Sequence, residues 1–380
     1  MLAAALMLCV CPLNISAVSN VPELSAASSI LVHADTGTVL YEHDADERML
    51  IASTTKIMTA LVVLENAELD DEVEVAYEST LVEGSSMYLK SGGRYTVREL
   101  LYGLMLCSGN DAADALARYI SGDIDSFAEL MNNKASELGM ADSCFKNPHG
   151  LDAEGHYSTA RDLAKLMCAA AEVPEFVAIA SARSYSLNGL TYVNHNKLLW
   201  QYKGMLCGKT GYTMAAGRIL VTCAERDGMR LVCVTISDPD DWNDHVAMYD
   251  WAFENYSCDA VTPPEQLLRV HVISGESAYA YIEAEAGPGV FRAKDSELEL
   301  RYELPRFVYA GVSRGECAGY VSVYVDGELS ARRMLIYSED VQRAENIKLS
   351  AWERFKLGWY RANQYGYNYC PYLFLSLGGK

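Results

Sequence analysis

The stretch ASTTKIMTALVVLE, residues 52–65, sets a serine and a lysine three positions apart at the start of a segment that is apolar nearly all round. A helix without a polar face belongs in the middle of a domain, walled by other elements. Spacing of three puts the Ser53 hydroxyl and the Lys56 amine on one helical face, within reach of each other. A serine hydroxyl is a weak nucleophile until a base takes its proton, and a desolvated lysine beside another cation can act as that base. The pattern is short and recurs here: Ser143-Cys144-Phe145-Lys146 has the same spacing. That copy stands before Asn147-Pro148 in turn-like sequence with no apolar helix behind it, and reads as a decoy.

Outward from this helix the chain mixes strands and helices. Residues 28–46, SSILVHADTGTVLYEHDAD, read as a hairpin turning at Asp35-Thr36-Gly37. Thr96-Val97-Arg98-Glu99 is a capping box that opens the helix ELLYGLMLC. Ser108-Gly109-Asn110 breaks the chain before the helix DAADALARYI, so its side chains project from a tight turn; turn chemistry and N-capping alone would also explain it. A second S-x-N, Ser186-Leu187-Asn188, lies in polar sequence leading into a strand. Ser158 and Thr159 are candidate caps for RDLAKLMCAAAE, and RILVTCAE and RLVCVTIS flank a hairpin turn at Arg226-Asp227-Gly228. Just before that hairpin, Lys209-Thr210-Gly211 is expected on an exposed strand beside a cleft. There a lysine and a hydroxyl face a carboxylate, and a glycine lets the backbone come close. The mixture predicts an α+β domain, an antiparallel sheet with helices, over residues 21–260.

Pro263-Pro264 marks a boundary, and alternating segments such as LLRVHVIS, SELELRYEL and GYVSVYVDGELSARRMLIY follow it. They predict a small all-β domain, a β-sandwich over 261–343, with no catalytic cluster. The tail, 344–380, reads as amphipathic, and its stretch NIKLSAWERFKLGWYRA, residues 346–362, as a helix with Leu349, Trp352, Phe355 and Trp359 on one face. Glu353, Arg354 and Arg361 fall opposite, and Lys348 and Lys356 border the apolar stripe, the pattern of a helix lying in a membrane surface. The alternative is a helix docked on the protein's own domain.

At 380 residues the chain is long enough for two folded units. With 51 acidic and 31 basic side chains, its formal net charge is −20, which repels nucleic acid and excludes that class of partner. Residues 1–20, MLAAALMLCVCPLNISAVSN, read as a signal peptide-like segment and so imply export, although no Lys or Arg precedes the apolar run. The 11 cysteines form no C-x-x-C pair and no Cys/His cluster at ligand spacing, so no metal or organic cofactor is expected.

Together, S-x-x-K, S-x-N and K-T-G in this order are the signature of penicillin-binding proteins and class A β-lactamases, and they define an acyl-transfer serine site. The chain resembles the low-molecular-mass penicillin-binding proteins that act as D-Ala-D-Ala carboxypeptidases. ASTTKIMTALVVLE, LMLCSGNDAADALA, FKNPHGLDAEGHYSTARDLAKLM and CGKTGYTMAAGRILVTCAERDG carry the resemblance, which covers nearly the whole chain. It implies a penicillin-binding/β-lactamase-like catalytic domain, a small β domain and an amphipathic C-terminal helix on the outer face of the cytoplasmic membrane. It further implies Ser53 as nucleophile, Lys56 as its proton acceptor, and Ser108 and Asn110 as proton relay and substrate-amide contact. Lys209 would depress the pKa of Lys56, Thr210 would bind the terminal carboxylate, and Gly211 and Tyr212 would line the substrate. The backbone N–H groups of Ser53 and Tyr212 would form an oxyanion hole, worth about 3–4 kcal/mol per donor. The implied partners are peptidoglycan stem peptides ending in D-Ala-D-Ala, and β-lactams as covalent inhibitors.

One departure bears on this reading. Some members carry an arginine near the substrate carboxylate after the K-T-G hairpin, whereas here the region reads DPDDWNDH. That leaves Lys209 and Thr210 for the carboxylate, with Arg218 expected to point to solvent. His149 matches a family position and is expected to be a structural turn residue. The alternatives are a D,D-endopeptidase, a serine β-lactamase and a non-enzymatic wall-binding protein. The β-lactamase lacks support because no convincing Glu-x-x-x-Asn loop lies between Asn110 and Lys209; Glu154 lies in the NPHGLD loop, not in such a motif.

Overall fold

Strand β1 (Ser28–His33) is buried along its whole length, because it has a neighbour on both sides. One is β2 (Val39–His43), its hairpin partner. The computed structural model describes residues 21–261, 268–344, 351–352 and 354–355, and the backbone of 372–378. The signal-like segment 1–20 and Pro263-Pro264 lie outside the described residues. Two compact units result, meeting at Asn255 and Tyr256.

In the first unit, a short 3₁₀ turn (Ala52–Thr55) leads into α1 (Lys56–Asn66), which is buried from Lys56 to Val63. Two small ribbons lie away from the main sheet. One pairs β3 (Glu72–Glu74) with β4 (Arg94–Thr96), the other β5 (Ser184–Leu187) with β6 (Leu190–Val193). Helices α2 (Val97–Leu106), α3 (Asn110–Ser121), α4 (Ile124–Glu137), α5 (Ala160–Ala171) and α6 (Pro174–Ala180) pack on α1. The apolar circumference of α1 is thereby covered on all sides. Thr96 forms the capping box with Glu99 that its spacing predicts, and Thr159 caps α5.

A short helix α7 (Leu198–Gln201) precedes β7 (Met205–Thr213), β8 (Gly217–Arg226) and β9 (Met229–Ile236). The antiparallel sheet runs β2-β1-β9-β8-β7, so β7, which carries Lys209-Thr210-Gly211, is an edge strand. Alternation along β8 divides its side chains between two faces. Val221 and Cys223 enter the main core. The intervening Thr222 bonds His245 and Tyr249 of α8 (Asp241–Asn255).

The second unit begins with β10 (Tyr256–Asp259), five residues before the boundary expected from sequence. β10 pairs with β13 (Val290–Ala293) as a separate ribbon. The main sheet has seven strands in the order β15-β11-β12-β17-β16-β14-β18. These are β11 (Arg269–Ile273), β12 (Tyr279–Ala284), β14 (Leu298–Pro305), β15 (Phe307–Tyr309), β16 (Cys317–Val325), β17 (Glu328–Tyr337) and β18 (Tyr372–Gly378). Within the stretch 346–362 expected as an amphipathic helix, residues 351–352 and 354–355 are helical, and beyond it 372–378 is a strand registered on β14. Leu349, Trp359 and the bordering lysines Lys348 and Lys356 lie outside the described residues.

Candidate active site

The turn that bears Ser53 is shaped by what lies against it. Ala52 has φ 44°, a left-handed conformation for a residue with a side chain, and Ser53 stands half-buried on the next position. Ile51 O accepts from Thr54 N at 3.2 Å and from Thr54 Oγ1 at 2.5 Å, closing the turn. Two glycines allow other backbones to touch it. At Gly150, with φ +86°, a Cβ would lie 1.9 Å from Ala52 O; at Gly211, one would lie 3.2 Å from both Ile51 O and Thr54 N. The loop around 150 and strand β7 thus close on the serine turn from separate parts of the chain.

Lys56 Nζ lies 3.0 Å from Ser53 Oγ, 2.7 Å from Asn110 Oδ1 and 2.6 Å from the His149 carbonyl. The two carbonyl oxygens can only accept, so a neutral amine spends its two N–H groups on them. Its remaining lone pair is then directed at the Ser53 hydroxyl. Burial holds the Lys56 pKa well below its usual value, and the positive charge of Lys209 lowers it further, against weaker opposing effects from Cys107 and Asp111. Burial also pulls Lys209 down to about 8. The Cys107 thiol, pushed up to about 11 by burial, stays neutral.

The other expected residues assemble around this pair. Asn110 is 3 % exposed and fixed by its amide nitrogen on Glu83 O at 2.7 Å and its backbone N–H on Ser85 O at 2.7 Å. Ser108 has φ 63°, is 4 % exposed, and its Oγ has no hydrogen-bond partner among the described residues. Lys209 Nζ donates to Thr210 O at 2.9 Å. Thr210 is half-buried, Gly211 is buried against the serine turn, and Tyr212 is 65 % exposed at the strand end. Both decoys lie elsewhere. Ser143 Oγ bonds Ser158 and Asp162, and Ser186 bonds Thr191 on an exposed ribbon. Among the described residues, no group of His, Cys, Asp or Glu side chains is arranged to hold a metal ion.

Three features escaped the sequence reading. The His149 carbonyl joins Lys56, while the ring, held neutral at about 3 by burial and the Lys56 charge, takes a hydrogen bond from Leu151 N. No side-chain pattern signals a main-chain acceptor. Asp111, 2 % exposed, accepts from Met87 N, Leu89 N and Ser86 Oγ and so pins residues 86–89 to α3. Its apolar neighbours on the helix gave it no distinction from an ordinary first-turn acid. Arg218 is exposed as expected, but it does not simply point to solvent: its guanidinium bonds Asp241 at 2.5 Å, a partner from the acidic DPDDWNDH segment.

This sheet, buried helix and serine–lysine pair define the catalytic domain of a penicillin-binding protein. Solved structures agree: penicillin binding protein 6B from Escherichia coli superposes with TM-score 0.67 at 30% identity, covering 84% of this chain and 98% of that one. Penicillin binding protein 5 from Haemophilus influenzae gives 0.64 at 29% identity, with 85% and 99% covered. The D-alanyl-D-alanine carboxypeptidase family model matches residues 15–240, and the chain belongs to that family. Its relatives include D-alanyl-D-alanine carboxypeptidase DacF of Bacillus subtilis, 32% identical over 356 residues, 87% of this chain and 91% of the relative. DacC of Escherichia coli is 34% identical over 342 residues, 84% of this chain and 85% of the relative.

Substituting Gly150→Ala pushes a Cβ into Ala52 O at a positive-φ position. Covalent labelling by a fluorescent penicillin is expected to slow about 100-fold, as for other small misplacements of reacting groups. Circular dichroism should still report a folded protein. Labelling at the wild-type rate would show that the close approach is dispensable.

Proposed function

We propose that this serine-type D-Ala-D-Ala carboxypeptidase removes the terminal D-alanine of peptidoglycan stem peptides through an acyl-enzyme on Ser53. The observation that carries the reading is the Lys56 amine, 3.0 Å from Ser53 Oγ with two carbonyls taking its N–H groups. As Ser53 Oγ bonds the carbonyl carbon between the two D-alanines, its proton passes to neutral Lys56. The tetrahedral oxyanion is held by the Ser53 and Tyr212 N–H groups. The C–N bond then breaks, the departing D-alanine nitrogen takes a proton relayed through Ser108, and water hydrolyses the ester, returning Ser53 to its starting state. The unpartnered Ser108 hydroxyl, buried beside Asn110, supports a relay that forms its bonds only with substrate present. Lys209 and Thr210 take the terminal carboxylate, since Arg218 is committed to Asp241. β-Lactams acylate the same serine.

A β-lactamase reading needs a second base close to the ester, and the two acids that follow His149, Asp152 and Glu154, are both exposed. The location is extracytoplasmic, with the tail resting on the membrane. Among the described residues no helix is long and apolar enough to cross a bilayer. Trp352 and Phe355, 63 % and 61 % exposed and stacked at 5.6 Å, support an interfacial contact.

D-Alanine release from a peptide ending in D-Ala-D-Ala is expected from the wild type and should fall at least about 10⁴-fold in Ser53→Ala. Undiminished release from the variant would overturn the acyl-enzyme. Penicillin acylation should rise with pH as Lys56 loses its proton. Because the charge of Lys209 depresses that pKa, Lys209→Met raises it and moves the acid limb to higher pH; an unmoved limb would refute the electrostatic role. Liposome sedimentation should recover the full chain, and Trp352→Ala with Phe355→Ala should release it; equal sedimentation would place the anchor elsewhere.

A further inference from the structure

The loop that brings the His149 carbonyl to Lys56 is held by a residue with no part in the reaction steps above. His156 is 2 % exposed. Its Nδ1 accepts from Lys146 N at 3.1 Å, so Nδ1 carries the lone pair and Nε2 the proton. Nε2–H then donates to Thr55 Oγ1 at 2.9 Å, and Thr55 is fully buried between Thr54 and Lys56 in the turn that bears the nucleophile. Phe145 lies edge-on to the His156 ring at 5.8 Å.

The rest of the loop is tied as firmly. Cys144 and Tyr157 exchange backbone bonds at 2.9 and 3.0 Å and close its base. Asn147 closes its tip, accepting from Gly150 N at 2.7 Å and donating to Leu151 O at 2.9 Å. Between these ties two successive carbonyls face α1. Pro148 O accepts from Thr59 Oγ1 at 2.6 Å and His149 O from Lys56 Nζ at 2.6 Å, on residues three apart along one helical face. The segment that resembled a second S-x-x-K therefore has a use: the Lys146 backbone orients His156.

We propose that His156, acting through Thr55, is a positioning residue for the proton acceptor, fixing the His149 carbonyl so that the lone pair of Lys56 stays aimed at Ser53. The proposal rests on the Ser53 acyl-enzyme reading. Without the tie, the loop carbonyl is free to leave Lys56, and an N–H group turns toward the serine in place of the lone pair. Around Lys56 stand Ser53, Asn110, His149, Lys209, Cys107 and Asp111, and none of them is altered by changing His156 or Thr55.

Single-turnover acylation by a fluorescent penicillin, followed over concentration and pH, separates non-covalent binding from the acylation step. Thr55→Val removes the hydroxyl at nearly constant volume, and His156→Asn reaches Lys146 N but not Thr55. Both are expected to slow the acylation step about ten-fold or more, with half-saturation within about two-fold of wild type and a displaced acid limb. Thr55→Ser keeps the hydroxyl, and His156→Gln sets an amide nitrogen where Nε2 lies; both should stay within about three-fold. Should Thr55→Val fail to fold, the Asn and Gln variants decide: equal rates in those two overturn the proposal. Folded Thr55→Val acylating at the wild-type rate with an unmoved limb overturns it too, as does a loss confined to half-saturation. Failure of the wild type to be acylated overturns the Ser53 reading and this inference with it.

Discussion

A lysine amine enclosed by a helical core, with no carboxylate at ion-pair distance among the described residues, is the constraint on which this catalytic domain depends. Burying a charged ammonium is unfavourable, and the favoured response is a lowered pKa. Every element next to Lys56 serves that outcome. Helices α2 to α6 keep water from α1, β7 brings a second cation, and the acceptors that reach the amine are neutral carbonyls. A carboxylate in place of Asn110 would hold the lysine protonated.

The same enclosure explains the backbone strain. Ala52 and Ser108 adopt positive φ, the first just before Ser53 and the second two residues before Asn110, both of which contact Lys56. Such conformations cost of order 1–3 kcal/mol each and persist only where the surroundings over-determine them. Here the determinants are visible. Gly150 and Gly211 press on the serine turn, and Asp111 pins the 86–89 segment beside Ser108-Gly109-Asn110. The site is assembled from backbone contacts as much as from side chains, with Gly150 and Gly211 close against the serine turn.

The two units put their chemistry in different places. Titratable groups with perturbed environments gather in the first, around Lys56, Lys209, His149 and His156. The second is a sheet with a core around Tyr302, Val321 and Leu335, in which burial pushes the Tyr302 hydroxyl up to about 12.

Much of the site was legible in the chain alone, because it depends on local spacing. The three motifs, the apolar circumference of α1, the capping box at Thr96 and the hairpin turns at Gly37 and Gly228 are set by neighbours a few residues apart. Local periodicity and turn chemistry act before any tertiary contact forms. The tertiary structure decided what depends on distant segments meeting. It brought the His149 carbonyl to Lys56 across 93 residues and His156 to Thr55 across 101, and it gave Arg218 to Asp241. It also made 372–378, beyond the stretch read as helix, a strand on β14. A main-chain carbonyl carries no sequence signature, and a strand's partner is chosen by the edge it finds; both are fixed only when the chain has folded.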